Sequence, residues 1–192
     1  MNPEDDQAVF RIFEIDMDLK PKDRFKEVAT HYREAIIEAF DETIQLIPDV
    51  VVDLFEVTSW WWNVIHHERY QEIKGIVEAV DDPKITVAKT VLINYLYELG
   101  AWCTSIVAKQ ANGTIVHSRN LDFPQTSQMR AITFNARFKK GGKFLYNSIM
   151  FAGNVGIYTG LKPGAFSVSQ NTRAPNDHYI GLIENLIMFF TG

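Results

Sequence analysis

The chain has 192 residues, 46% of them hydrophobic and 22% charged, the composition of a globular domain and not of a disordered segment; a chain of this size buries roughly 70% of its unfolded surface, enough for a core without disulfide support. Its net charge of -5, with no basic patch or stripe, argues against nucleic acid as a partner. No run of about 20 apolar residues is present, which excludes a transmembrane helix, and the acidic start Met1-Asn2-Pro3-Glu4-Asp5-Asp6 lacks the apolar core of a signal peptide, which reads as a cytosolic protein or one whose true N-terminus has been removed.

The first predicted element is a half-buried strand within residues 9–19, where Phe13, Ile15, Met17 and Leu19 alternate with Glu14, Asp16 and Asp18. Pro21 ends it. Asp23 then reads as the cap of a helix over 23–47, the clearest helical period in the chain, with Phe25, Val28, Tyr32, Ile36 and Phe40 on its apolar face. After Pro48 the pattern predicts a helix over 50–64, and another over 68–80 carrying Ile73, Ile76 and Val80. Asp82-Pro83 breaks the chain, and a mostly apolar helix follows over 86–99, with Gly100 able to end it.

From Cys103 onward the signals are strands and turns. Asn112-Gly113 is the strongest two-residue hairpin signal. Ile132, Phe134, Ala136 and Phe138 alternate with polar residues, Gly141-Gly142 turns the chain back into a strand over 144–151, and strands over 155–159 and 166–171 flank the turn Gly160-Leu161-Lys162-Pro163-Gly164. Asp177 reads as the cap of a last helix bearing Ile180, Ile183, Leu186, Ile187 and Phe190. A helical first part followed by a β-rich second part predicts an α+β fold.

Cys103 is the only cysteine, so its value lies in packing or in reactivity. If Asn112 and Gly113 are the two loop residues, Asp122 falls directly opposite Cys103, with Cβ atoms about 5 Å apart. Arg119, three residues from Asp122, would then face the other side of a regular strand, so either the strand bulges near Asn120 or Arg119 serves another face. His117 and His178 are the histidines that a conventional Cys–His pair would use, although this hairpin places neither opposite Cys103. Trp60-Trp61-Trp62 fits a lipid-surface anchor or a packed aromatic cluster. His66-His67-Glu68 has no metal-binding spacing and reads as a solvated helix face. Asn112-Gly113-Thr114 is a glycosylation sequon as well as a turn, and Lys139-Lys140 reads as a solvated turn.

The segments Cys103-Thr104-Ser105-Ile106-Val107-Ala108 and Arg119-Asn120-Leu121-Asp122-Phe123 resemble the acid ceramidase and N-acylethanolamine acid amidase family of N-terminal-nucleophile cysteine hydrolases. Ile15-Asp16-Met17-Asp18-Leu19, Asn94-Tyr95-Leu96-Tyr97-Glu98-Leu99 and Phe151-Ala152-Gly153 extend the likeness, and Thr159-Gly160-Leu161-Lys162-Pro163-Gly164 looks closer to acid ceramidase. The resemblance implies an αββα sandwich with antiparallel sheets, here in part. It implies a cut between Trp102 and Cys103 that separates a helical α-chain-like segment (1–102) from the first part of a β-chain (103–192). It implies catalysis by Cys103, Arg119 and Asp122 on an N-acyl lipid at a lysosomal, peripheral membrane surface, without metal or organic cofactor. Asn171 and Arg173 would lie in the substrate or oxyanion region. Two departures bear on activity: Thr172 stands where the family usually carries a glutamate, and the family continues past residue 192 into a segment holding an oxyanion asparagine and a further arginine. An inactive, lipid-binding family member is the alternative expectation.

Overall fold

Strand β1 (Ile12–Asp16) buries Phe13 and Ile15 and sends Ile12 to solvent, as its alternation predicts. The computed structural model describes residues 10–100, 102–122 and 126–171. After a 3₁₀ turn (Pro21–Asp23) come six helices: α1 (Lys26–His31), α2 (Arg33–Gln45), α3 (Asp49–Thr58), α4 (Trp60–Ile65), α5 (His67–Val80) and α6 (Val87–Gly100). A hairpin of β2 (Trp102–Lys109) and β3 (Ile115–Asp122) follows, then α7 (Thr126–Ala131), β4 (Thr133–Lys140), β5 (Lys143–Phe151), β6 (Thr159–Lys162) and β7 (Phe166–Ser169). The fold is α+β.

A five-stranded sheet runs β1-β4-β5-β6-β7, and β2-β3 forms a separate two-stranded ribbon. β1 lies parallel to β4 while the other pairs are antiparallel, so the larger sheet is mixed where antiparallel sheets were expected. The first part of the chain thus supplies an edge strand to a sheet built by the second. One core joins them: Phe13, Ile15, Phe134 and Met150 from the sheet, and Ile36, Ile73, Ile76 and Leu92 from α2, α5 and α6. Among the described residues, no helix is long and apolar enough to cross a membrane.

Several elements differ from their sequence signals. The helix expected over 23–47 is broken at Tyr32, which leaves helical geometry at φ -97° and ψ 16°. Its ring packs near Phe13 and Phe134, and its hydroxyl donates to the Thr133 carbonyl. Packing here overrides an unbroken helical period. Asp23 caps nothing with its side chain and instead pairs with Lys26 at 2.8 Å. The helix expected over 50–64 is two, divided at Ser59.

No strand forms over 155–158. Gly153 and Gly156 take positive φ there, and buried Asn94 on α6 satisfies the backbone in place of a ladder. Its Nδ2 donates to the Gly153 carbonyl and its Oδ1 accepts from Val155 N at 2.7 Å. β6 therefore starts at Thr159 and the turn moves on to Pro163–Ala165, closed by Ala165 N donating to Lys162 O. Lys139 lies within β4 and pairs with Glu14 and Asp16, so it is not part of a solvated turn. The helix expected from Asp177 lies outside the described residues.

Gly75 sets how closely α5 approaches the 3₁₀ turn: a Cβ there would lie 1.8 Å from the Lys22 carbonyl oxygen. Alanine normally gains about 1 kcal/mol over glycine in a helix interior, but overpacking against main chain costs about 1–3 kcal/mol or more. The close contact is with backbone, so the cost dominates. Gly75→Ala is expected to lower the melting temperature by about 4–8 °C, the shift for a ~2 kcal/mol loss in a domain of this size, measured by thermal unfolding.

Candidate active site

The β2-β3 turn decides which residues share a face. Gln110 N donates to Thr114 O at 2.8 Å and Gly113 N to Gln110 O at 2.9 Å, with Gly113 at φ 89°. The loop thus holds three residues, Ala111-Asn112-Gly113, the turn-plus-bulge connection that places glycine at the left-handed position. Asn112 Oδ1 also accepts from Thr114 N. One extra loop residue shifts the register by one. Cys103 pairs with Leu121, and Asp122 pairs with Trp102, not with Cys103 as a two-residue loop requires.

The shift accounts for Arg119. Residues directly opposite share a face, so Cys103, Ser105 and Val107 lie with Leu121, Arg119 and His117. No bulge is needed. Arg119 Nη2 donates to Cys103 Sγ at 3.4 Å. The same guanidinium donates to the main-chain oxygens of Tyr158 and Gln170 and to Thr159 Oγ1. One side chain therefore touches the thiol and pins the ribbon to the segments flanking β6 and β7. Cys103 is half-buried, and the Trp102–Cys103 peptide lies at the start of β2. The side chain of Asp122 and the whole of Arg173 lie outside the described residues.

Beside Arg119 the same face carries a polar chain. His117 Nδ1 is 2.8 Å from Ser167 Oγ and its Nε2 is 3.2 Å from Ser169 Oγ. Ser169 Oγ is 2.7 Å from Ser105 Oγ, which donates to Asn171 Oδ1 at 3.1 Å. His117 thus faces serines, and in the ladder it sits opposite Val107. The sequence singled out His117 and Asn171 but not Ser105, Ser167 or Ser169. Alternation along β7 carries that information only once the ribbon is known to dock there.

A cavity of about 520 Å³ adjoins the site, lined by Tyr158 and Gln170, whose carbonyls hold Arg119. Met17, Phe25, Trp62 and Phe138 give it apolar wall. Arg24, Glu68 and Glu72 give it a charged one, with Arg24 2.8 Å from Glu72 and both side chains largely buried. His66 lines it too, so His66-His67-Glu68 is not simply a solvated face; burial, with Arg69 nearby, lowers the His66 pKa. Among the described residues, no group of three or more His, Cys, Asp or Glu is arranged to hold a metal ion.

Burial raises the Glu72 pKa above the ordinary carboxylate range, outweighing the Arg24 hydrogen bond and charge that lower it. Arg24 shifts upward as well. Burial disfavours its cation, but the hydrogen bonds it donates to two carboxylates, Glu72 and Glu68, more than offset that.

A family described as the beta subunit of N-acylethanolamine-hydrolyzing acid amidase matches residues 10–60. A probable acid ceramidase of Caenorhabditis elegans is 31% identical over 209 residues, covering 93% of this chain and 51% of that protein. An N-acylethanolamine-hydrolyzing acid amidase of the same organism is 31% identical over 195 residues, covering 94% and 52%. The acid ceramidase of Homo sapiens is 36% identical over 128 residues, covering 59% and 32%. The chain belongs to the acid ceramidase and N-acylethanolamine acid amidase family. That is a family of N-acyl lipid amidohydrolases, and the chain spans about half the length of the first two relatives.

Because the folded pKa of Glu72 is raised, the neutral acid is the form the fold favours. Its stabilising contribution is present below the ordinary carboxylate pKa and is lost as pH rises through the raised value. Denaturant midpoints are expected to fall from mildly acidic towards neutral pH, and Glu72→Gln is expected to flatten that slope. An unchanged slope in the variant would assign it to another group.

Proposed function

We propose that the chain is the precursor of an N-acyl lipid amidase that cuts its own Trp102–Cys103 bond and then uses Cys103 as the nucleophile. The observation that carries this reading is the Arg119 guanidinium 3.4 Å from Cys103 Sγ. Before the cut, the nitrogen of Cys103 is an amide and cannot act as a base. A fixed cation beside the sulfur favours negative charge there as the S–H bond breaks. The sulfur attacks the Trp102 carbonyl, the thiol proton passes to the departing Cys103 nitrogen, the Trp102–Cys103 C–N bond breaks and the acyl group moves to sulfur. Water then hydrolyses the thioester, leaving a Trp102 carboxylate, a free thiol and an α-amine on Cys103.

In the cut protein the α-amine takes the thiol proton, the N-terminal form of nucleophile activation. The thiolate adds to the substrate amide carbonyl, the amine product leaves with that proton, and water releases the fatty acid from the thioester. Asp122 is assigned to hold the α-ammonium by a charge-assisted hydrogen bond, and Asn171 and Arg173 to the substrate and oxyanion region. The products of the cut, 1–102 and 103–192, stay together as the two chains of one fold. The β1–β4 pairing supports that, since it joins sequence on both sides of the cut. The substrate is a ceramide or an N-acylethanolamine, and the cavity beside Arg119 is its entry.

The compartment is proposed to be the lysosome, and the acid preference of Glu72 is compatible with it. A lipid surface is the proposed docking partner. Val50, Val57, Trp60 and Val64 along α3 and α4, with Leu46 at the end of α2, are all more than half exposed, while Trp62 is buried in the core. The tryptophan run therefore divides between packing and surface. Sedimentation with anionic vesicles is expected to fall several-fold in a Val57→Asp/Trp60→Ser double variant, with thermal stability unchanged because both side chains face water.

Intact mass after incubation at acidic pH tests the central claim. Two fragments split between Trp102 and Cys103 are expected in the parent and none in Cys103→Ala. Arg119→Met is expected to slow the cut about 100-fold or more, the cost of removing one preorganised electrostatic donor. Arg119→Lys is expected to recover little, because an ammonium cannot reproduce the planar fork. A parent chain that stays whole and releases no fatty acid from either lipid class would leave the inactive lipid-binding alternative.

A further inference from the structure

We propose that His117 is a positioning residue: through Ser169 and Ser105 it orients the Asn171 carboxamide, so that the amide NH₂ is the group Asn171 offers at the Cys103 site. The inference rests on the amidase reading for its consequence but on hydrogen-bond chemistry for its geometry. Five side chains from β2, β3 and β7 with its continuation form one unbroken series: Ser167, His117, Ser169, Ser105, Asn171.

The protons in that series have one consistent direction. A serine hydroxyl has a single proton to donate. Ser105 donates to Asn171 Oδ1, so at its 2.7 Å contact with Ser169 it must accept. Ser169 has then used its proton and must accept from His117 Nε2 at 3.2 Å. His117 Nε2 therefore carries hydrogen. In the neutral ring Nδ1 accepts from Ser167 at 2.8 Å. In the imidazolium Nδ1 donates there instead, and only the Ser167 hydroxyl rotates. The direction from Nε2 to Asn171 is the same in both forms. At the end of the series Oδ1 of Asn171 is occupied, which leaves Nδ2 as the group that donates.

Position makes this matter for the site. His117 and Arg119 lie two residues apart on the ribbon face that also carries Cys103 and Ser105. Gln170, whose carbonyl holds Arg119, separates Ser169 from Asn171. Among the described residues the ribbon shares no main-chain ladder with the larger sheet, so side-chain bonds such as these set its distance from β7.

Two measurements test the proposal. The first is independent of catalysis: ¹⁵N-imidazole NMR of the full-length Cys103→Ala protein. An Nε2–H ring whose signal moves in Ser169→Ala is expected; an Nδ1–H neutral tautomer overturns the proposal whatever the enzyme does. The second is kinetic, with His117→Leu, His117→Gln and Asn171→Asp. Loss of one oriented donor costs about 10²-fold in kcat, so His117→Leu and Asn171→Asp are expected near that loss with KM within about threefold. His117→Gln, whose amide N–H takes the place of Nε2–H, is expected to recover at least tenfold over the leucine variant. If glutamine fails to rescue, His117 is a base and not a positioning group, and the proposal falls. If leucine costs nothing, it falls as well. A parent that stays uncut and inactive while the ring is Nε2–H removes the amidase reading and the positioning role with it, leaving the oriented carboxamide alone.

Discussion

Everything at the site hangs on one guanidinium. The ribbon and the five-stranded sheet are separate sheets, and Arg119 is the side chain that reaches from one to the main chain of the other while touching the sulfur. Only arginine suits that task. Its five donors lie in a fixed plane, so satisfying the Tyr158 and Gln170 carbonyls leaves no freedom in how the remaining edge meets Cys103. The constraint works in both directions. The carbonyls hold the cation, and the cation in turn ties together the two segments, just before β6 and just after β7, that Gln170 N already joins by donating to Tyr158 O.

The carbonyls are themselves placed from a distance. Tyr158 ends the irregular segment that precedes β6, and that segment is held by Asn94, buried on α6, through Gly153 and Val155. Asn94 in turn donates to Thr90 one helical turn back. A buried amide that loses such partners costs about 1–3 kcal/mol, so this segment has a strong reason to stay in one conformation. α6 runs to Gly100, two residues before β2 begins. The same helix thus feeds the chain into Trp102–Cys103 and, through Asn94, fixes the loop that supplies an acceptor to Arg119. The two ends of the site are set by one rigid element, which is how a few long-range bonds hold a thiol and a cation within reach of each other.

Local patterns carried the fold a long way. Alternation in β1 and β4, the helical period of α5, the Gly141-Gly142 turn with both residues at positive φ, and the change of character at Cys103 all have short-range causes. What failed had long-range ones. Tyr32 breaks a helix to reach Thr133, and the segment before β6 forgoes a ladder because Asn94 meets it from sixty residues away. Arg24 and Glu72 lie 48 residues apart and carry no pattern that would join them. The hairpin is the instructive case. Asn-Gly signals a turn correctly, yet whether the loop holds two residues or three depends on which strand faces pack. One residue exchanges Asp122 for Leu121 opposite Cys103 and brings Arg119 round to the sulfur. The residue types at the site were legible; their facing was not.

The position of the bond proposed to be cut adds a final constraint. Trp102 is the first residue of β2 and pairs with Asp122, the last of β3. For its side chain to reach the carbonyl just before it, Cys103 must let the Trp102 carbonyl swing towards the sulfur, which a fully paired extended strand resists. At the open end of a two-stranded ribbon that resistance is small, because terminal pairs open at little cost compared with central ones. Sulfur attack would therefore need the end pair alone to fray, while the Ser105–Arg119 pair three steps further in stays closed and keeps the guanidinium in place. A cut in the middle of the ribbon would have to release the cation in order to free the carbonyl. At its mouth, the motion that the proposed self-cleavage requires and the Arg119 contact with the sulfur are separable.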